Sequence, residues 1–131
     1  LLERAPEDDV LATCERLDIA FIPFFPLASG LLTGKYRRNQ EPPAGSRLAS
    51  GWKADTMTDE TLDVVERLIA FAESRGHSIL ELAFSWLLAH PQVASVIAGA
   101  TKPEQVRANS RAAAWRLTQH ELTELDAALN T

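Results

Sequence analysis

Two short apolar runs limit the folds open to this chain more than any other feature: residues 19–25, read as IAFIPFF, and residues 93–97, read as VASVI. The first is almost unbroken and of strand length. That pattern suits a parallel strand buried on both faces better than a half-exposed antiparallel one. Parallel strands cannot be joined by a tight hairpin, so the chain must cross over between them, usually through a helix. Pro23 lies inside the first run and has no N–H to give a ladder, so regular pairing is expected to weaken around it.

The segments around these runs carry helix signals. Pro6-Glu7-Asp8-Asp9 puts a proline and three acids at a helix start, where acids face the positive end. Val10, Leu11, Cys14 and Leu17 follow as one apolar stripe, with Cys14 expected as a small core residue and the helix ending near Asp18. Thr58-Asp59-Glu60 starts a second helix whose Leu62, Val65, Ile69 and Ala72 share a face, and Arg75-Gly76 closes it. Ser78-Ile79-Leu80-Glu81 is a capping box. The helix after it is expected to bury Leu82, Trp86 and Ala89 and to stop at His90, because Pro91 follows. Thr101-Lys102-Pro103-Glu104 and Thr118-Gln119-His120-Glu121 read as two more boxes, the second leading into Leu122, Leu125 and Leu129. Residues 37–53 carry two prolines, two glycines and no periodicity. They read as an exposed excursion long enough to act as a lid, with Trp52 a candidate lid residue.

Strands alternating with helices imply right-handed crossovers and a parallel sheet with helices outside, an α/β architecture. Two strands alone make a poor core. The simplest completion is further strands upstream. A (β/α)₈ barrel takes about 250 residues, so 131 residues would be roughly its C-terminal half. The opening Leu1-Leu2-Glu3-Arg4, with neither Met nor a basic signal start, is read the same way, as a piece of something longer.

Composition removes several classes of function. Thirteen Lys and Arg against eighteen Asp and Glu leave a net charge of −5, which argues against nonspecific binding to nucleic acid or an anionic membrane. No apolar run approaches the ~20 residues of a transmembrane helix. A single cysteine cannot form an internal disulfide and fits a reducing, cytoplasmic setting. His77, His90 and His120 lie far apart near helix ends without metal-ligand spacing, so cap or surface roles are expected and no metal site. Trp86 reads as core and Trp115 as packing. No Walker loop, Rossmann glycine fingerprint, GxSxG elbow or HExxH is present.

One turn does carry chemistry. Gly99, Ala100 and Thr101 lead from the second run into a capped helix start, where outward-facing amides at a positive dipole end favour an anion. In barrels, a phosphate site often forms from the loops after the last two strands. Lys102 adds a cation there, and Gln105 and Asn109 lie four apart on one helix face. An ordinary capped helix accounts for the turn as well. Lys35, in the glycine-flanked loop after the first run, is a second cation within reach of the same ligand.

Two segments, FFPLASGLLTGKY (residues 24–36) and VIAGATKPEQVRANSRA (residues 96–112), resemble the seventh- and eighth-strand regions of the aldo-keto reductases. The opening LLERAPEDDVLATCERLDIAF is similar to the segment after that family's sixth strand, so the resemblance runs over nearly the whole chain, and the closest flavour is that of bacterial oxidoreductases related to potassium-channel β-subunits. It implies the C-terminal part of a TIM barrel that binds NADPH and reduces aldehydes or ketones by hydride transfer. It further implies that Phe24 stacks on the nicotinamide, where tyrosine or tryptophan is commoner; a phenylalanine keeps the stacking face but loses the polar handle. Phe25 stands beside it where the family often has serine, and Pro26 follows in the motif. Leu27, Ser29 and Lys35 match the loop along the pyrophosphate, and Arg47, in PPAGSR, resembles an arginine that closes over the adenosine end. Gly99, Thr101, Gln105 and Asn109 match the turn and helix face at the 2′-phosphate and adenine, with Lys102 as an electrostatic helper.

The family's catalytic Asp, Tyr, Lys and His have no match in this sequence. Tyr36 falls in the glycine-lysine-tyrosine loop and is not the catalytic acid. The resemblance therefore implies a cofactor cradle without its proton donor. A small carbonyl compound is the implied substrate, and a homo-oligomer is a further expectation. The rival reading is a non-catalytic NADP(H)-binding half barrel or regulatory subunit.

Overall fold

The helices stand where their caps and stripes put them. In the computed structural model, which describes residues 1–51 and 54–130, the α-helices are α1 (Val10–Arg16), α2 (Asp59–Glu73), α3 (Ile79–Leu88), α4 (Pro103–Ala112) and α5 (Gln119–Leu129). Short 3₁₀ turns cover Ala5–Glu7, Ala28–Thr33 and Ala54–Thr56.

Thr58 caps α2, its hydroxyl accepting the Thr61 amide at 3.2 Å. The helix ends in a Schellman turn: Gly76 takes φ +75° and the His77 amide donates to the Ala72 carbonyl at 3.0 Å. At α3, Ser78 accepts the Glu81 amide at 3.2 Å while the Glu81 carboxylate accepts the Ser78 amide at 2.8 Å. Thr118 and Glu121 repeat this reciprocal pair at α5. No helix among the described residues is long and apolar enough to cross a membrane.

α3 is the hub, packing against α2, α4 and the Ala28–Thr33 turn, while α5 lies along α2. Val65, Ala72, Leu82 and Leu125 are wholly buried, with Leu31, Leu32, Tyr36 and Leu68 around them. Each large side chain so buried contributes about 1.5–3 kcal/mol of transfer free energy. The predicted faces of α2 and α5 are the observed ones, and Leu82 and Trp86 of α3 are buried as expected; Ala89 is half-buried at the helix end. The Ser85 hydroxyl donates to the Trp115 carbonyl at 2.8 Å and ties α3 to the stretch before α5. Trp115 also stacks on the His77 ring, with centroids 4.0 Å apart.

Three expectations need correction. The two apolar runs meet in parallel, as predicted, but at a single bridge rather than a ladder. Phe21 pairs with Val93, its amide donating to the Gln92 carbonyl at 2.7 Å and its carbonyl accepting the Ala94 amide at 3.1 Å. Among the described residues each run pairs with the other alone, Pro23 cannot continue the pairing, and Phe25 turns away at φ +51°. Second, the stripe of α1 is not core. Val10 and Leu17 are exposed and Cys14 is half-buried, because among the described elements the adjacent 3₁₀ turn is the main one to pack on α1. Third, the excursion after Tyr36 is anchored rather than wholly exposed, since Ser46 and Leu48 are buried. Trp52 lies outside the described residues.

Candidate functional site

The loop after the first run is built from unusual backbone. Phe25, Ala28 and Ser29 all take positive φ, at +51°, +45° and +60°, followed by Gly30 at +105° and Gly34 at +82°. Non-glycine residues rarely adopt this conformation, and clusters of them gather at ligand sites. Gly30 is also a close-approach position. A β-carbon there would lie 3.1 Å from Lys35 Cε, 3.2 Å from its Nζ and 3.3 Å from the Tyr36 ring. The Lys35 ammonium thus folds back over the loop, 5.0 Å from the Tyr36 ring centroid. Beneath it Tyr36 is buried, and its hydroxyl has no hydrogen-bond partner among the described residues.

A cavity of about 880 Å³ opens beside this loop. Phe24, Phe25, Pro26 and Ser29 line it, together with Trp86 of α3 and His90 just past that helix. Phe24 is 85% exposed, which leaves much of a large aromatic side chain open to a ligand; its ring lies against Phe25 in a tilted pair, with centroids 4.1 Å apart and planes at 47°. His90 sits edge-on to Trp86 at 4.8 Å. Burial pushes its imidazole below the ordinary value, and its Nε2 has no partner among the described residues. Leu27 is half-buried and opens the Ala28–Thr33 turn.

The second half of the site lies at the start of α4. Ala100, Thr101, Lys102, Pro103, Val106 and Arg107 line a shallow cleft of about 470 Å³. The helix cap sits one residue later than the sequence suggested. Lys102 is the N-cap, Pro103 the first helical residue, and the reciprocal side chain is Gln105 rather than Glu104. Gln105 Oε1 accepts the Thr101 amide at 2.7 Å, the Lys102 amide at 3.1 Å and the Thr101 hydroxyl at 3.2 Å. The turn amides that were expected to face outward are therefore already occupied by a neutral acceptor. What this turn offers an anion is the Lys102 ammonium and the two N–H donors left on Gln105 Nε2. Asn109 is half-buried further along α4 and lines neither cavity.

Arg47, from the PPAGSR segment, reaches the second half of the site. Its Nη2 lies 3.9 Å from where a β-carbon of Gly99 would be, so a guanidinium from the excursion rests against the glycine turn leading to Thr101. The chain thus gathers Phe24, Phe25, Pro26 and Ser29 at one cavity, and Gly99, Thr101, Lys102, Gln105 and Arg47 at one turn.

Sequence reasoning missed what holds the excursion in place. Arg37 donates to Glu66 and to Glu73, each at 3.2 Å, and the Arg38 amide donates to the other Glu66 oxygen at 3.1 Å. The Arg38 guanidinium pairs with Asp63. Burial works against the Arg37 charge, but Glu73 and Glu66 outweigh it and hold the guanidinium above its ordinary range. The signal was available: Asp59, Asp63, Glu66 and Glu73 fall on one helical stripe of α2.

The profile of the Aldo/keto reductase family matches residues 1–130. This chain belongs to the aldo/keto reductase family. The L-glyceraldehyde 3-phosphate reductase of Escherichia coli (strain K12) is 36% identical over 109 residues, covering 79% of this chain and 31% of that protein. A Schizosaccharomyces pombe protein carrying the name of a voltage-gated potassium channel β-subunit is 39% identical over 113 residues, 80% of this chain and 32% of its own length. The NADH-specific methylglyoxal reductase of E. coli K12 is 32% identical over 123 residues, 94% of this chain and 37% of that protein. Among solved structures, the glycerol dehydrogenase of Gluconobacter oxydans superposes with a TM-score of 0.78 at 28% identity, over 97% of this chain and 39% of that one. The chain spans about a third of the length of the curated relatives it matches. Its fold is α/β, that of part of an aldo/keto reductase (β/α)₈ barrel.

Proposed function

We propose that residues 1–131 form the strand-seven and strand-eight region of an oxidoreductase barrel and supply the NADPH cradle with which it reduces an aldehyde or ketone to an alcohol. The observation that carries this reading is the meeting of Arg47 with Gly99, which joins two family-like motifs far apart in sequence at one turn. The side chains fit the group. Phe24 offers an open aromatic face for a nicotinamide ring, and Lys35, folded over Gly30, offers a charge for the pyrophosphate. Arg47 and Lys102 supply the cations that a 2′-phosphate calls for, beside the Thr101 hydroxyl and the Gln105 amide.

NADPH, when bound, supplies the hydride. The residues of this chain orient and charge-match it, and proton donation belongs to a part of the barrel that these residues do not carry. The preference for NADPH over NADH rests on Arg47, Lys102 and Gln105, and the NADH-specific relative makes it the point to test first. Titrating the chain with each nucleotide and following tryptophan quenching is the test; saturable quenching with tighter binding of NADPH is expected. The pure chain is expected to show no carbonyl reductase turnover. A cytoplasmic setting and a small carbonyl substrate belong to the same proposal.

One observation favours the second reading, a non-catalytic NADP(H)-binding module that assembles with another chain or with itself. Ile19, Ile22 and Ile97 are at least half exposed around the Phe21–Val93 bridge, an apolar surface of the kind that marks an interface. Sedimentation of the chain with and without NADPH separates the two readings.

A further inference from the structure

The excursion that carries Arg47 is fastened to α2 through one carboxylate in particular. Glu66 accepts the Arg37 guanidinium on Oε2 and the Arg38 main-chain N–H on Oε1. Glu73 and Asp63 reach only the side chains of these two arginines. The difference is physical. A pair between exposed side chains leaves the backbone free, whereas a carboxylate on a main-chain amide fixes the path of the chain.

That path matters because of what lies on either side. Before it, Tyr36 is buried at the end of the strained loop under Lys35. After it, Asn39 turns the chain at φ +59°, and the segment returns to the core at Ser46 and Leu48, flanking Arg47. Glu66 therefore sits where the loop bearing Lys35 hands over to the segment bearing Arg47.

We infer that Glu66 is a positioning residue for the cofactor site: by holding Arg37 and the Arg38 backbone on α2, it sets the segment that lays Arg47 against Gly99. This rests on the reading of Arg47 as a nucleotide contact and adds a residue that touches no ligand itself.

The experiment uses the full chain with Glu66→Ala, Glu66→Gln, Arg47→Ala and the Glu66→Ala/Arg47→Ala pair, each titrated with NADPH. Glu66→Ala is expected to weaken NADPH about fivefold, the size of one well-placed charged contact. Glu66→Gln, which keeps an oxygen for the Arg38 amide, is expected to recover part of that loss. The double variant is expected to bind no worse than Arg47→Ala alone, since residues acting through one another are not additive. Hydrogen exchange at Ser50 and Gly51, whose amides bond back to residues 46–48, is expected to quicken in Glu66→Ala while α2 keeps its protection. Additive losses, or unchanged exchange at those amides, overturn the role of Glu66 while leaving the cofactor reading intact. A wild-type chain that fails to bind NADPH overturns the cofactor reading, and the positioning role with it.

Discussion

Gly30 shows how much a single residue can carry. Its φ of +105° strains any residue with a β-carbon, and such an atom would crowd Lys35 Cε at 3.1 Å and the Tyr36 ring at 3.3 Å. Gly30→Ala is expected to cost about 1–2 kcal/mol of stability, read by urea unfolding, because both the backbone and the lysine must shift. His90 makes a second residue-scale test. Its imidazole is held below the ordinary value by burial, so the folded state resists protonation more than the unfolded chain does. As pH falls below about 6.5, the unfolded state takes up protons first and stability declines until the folded value is passed. Melting temperatures of wild type and His90→Phe across pH 5–8 check this; the variant is expected to lose part of the slope while keeping a ring against Trp86. The buried Leu1 amine, lowered to about 5, supplies the rest. The glycine-lysine-tyrosine spacing pointed to this loop from sequence. The positive φ values at Phe25, Ala28 and Ser29 did not show, because nothing in those side chains asks for that conformation.

Among the elements, the caps were the most legible part of the fold. The boxes at Ser78 and Thr118 stand as read, because both partners are local and their geometry depends on nothing distant. The box at α4 slipped by one residue for a reason also present in the sequence: Pro103 occupies the first helical position, which makes Lys102 the cap and Gln105 its partner. Hydrogen bonds from the Ser78 backbone and hydroxyl hold Glu81 below its ordinary carboxylate value. Its contribution is therefore complete above about pH 4.3 and is lost as pH falls through the folded value. Glu81→Ala is expected to cost about 1 kcal/mol at neutral pH, measured by thermal unfolding, and the difference from wild type is expected to shrink in acid. The strands were the least faithful elements. Apolar content announces a buried strand, but burial on both faces takes further strands and covering helices, and among the described residues the runs 19–25 and 93–97 pair only with each other, at one bridge. For the same reason the stripe of α1, with Val10 and Leu17, faces solvent instead of a sheet.

The whole molecule is a helical core with an open apolar side. Leu82, at the centre of α3, is wholly buried and touches the main cluster, so Leu82→Ala is expected to cost about 2–5 kcal/mol in chemical unfolding. Away from that cluster, Ile19, Ile22, Phe24 and Ile97 are exposed, an apolar surface that on the proposed reading further strands of a barrel would cover. One half of the candidate site, Phe24 to Ser29, lines a wide cavity, and the other half, at Thr101, a shallow cleft. On the proposed function, Arg47 and the Thr101 turn together receive the phosphate end of NADPH. The most direct test of this is a side-by-side titration of the wild-type chain and the Arg47→Ala/Lys102→Ala variant with NADPH and NADH. The account expects saturable binding by the wild type and at least a tenfold larger loss for NADPH than for NADH, about 1.4 kcal/mol of phosphate-specific contact. Equal losses for the two nucleotides, or no binding by the wild type, would contradict it.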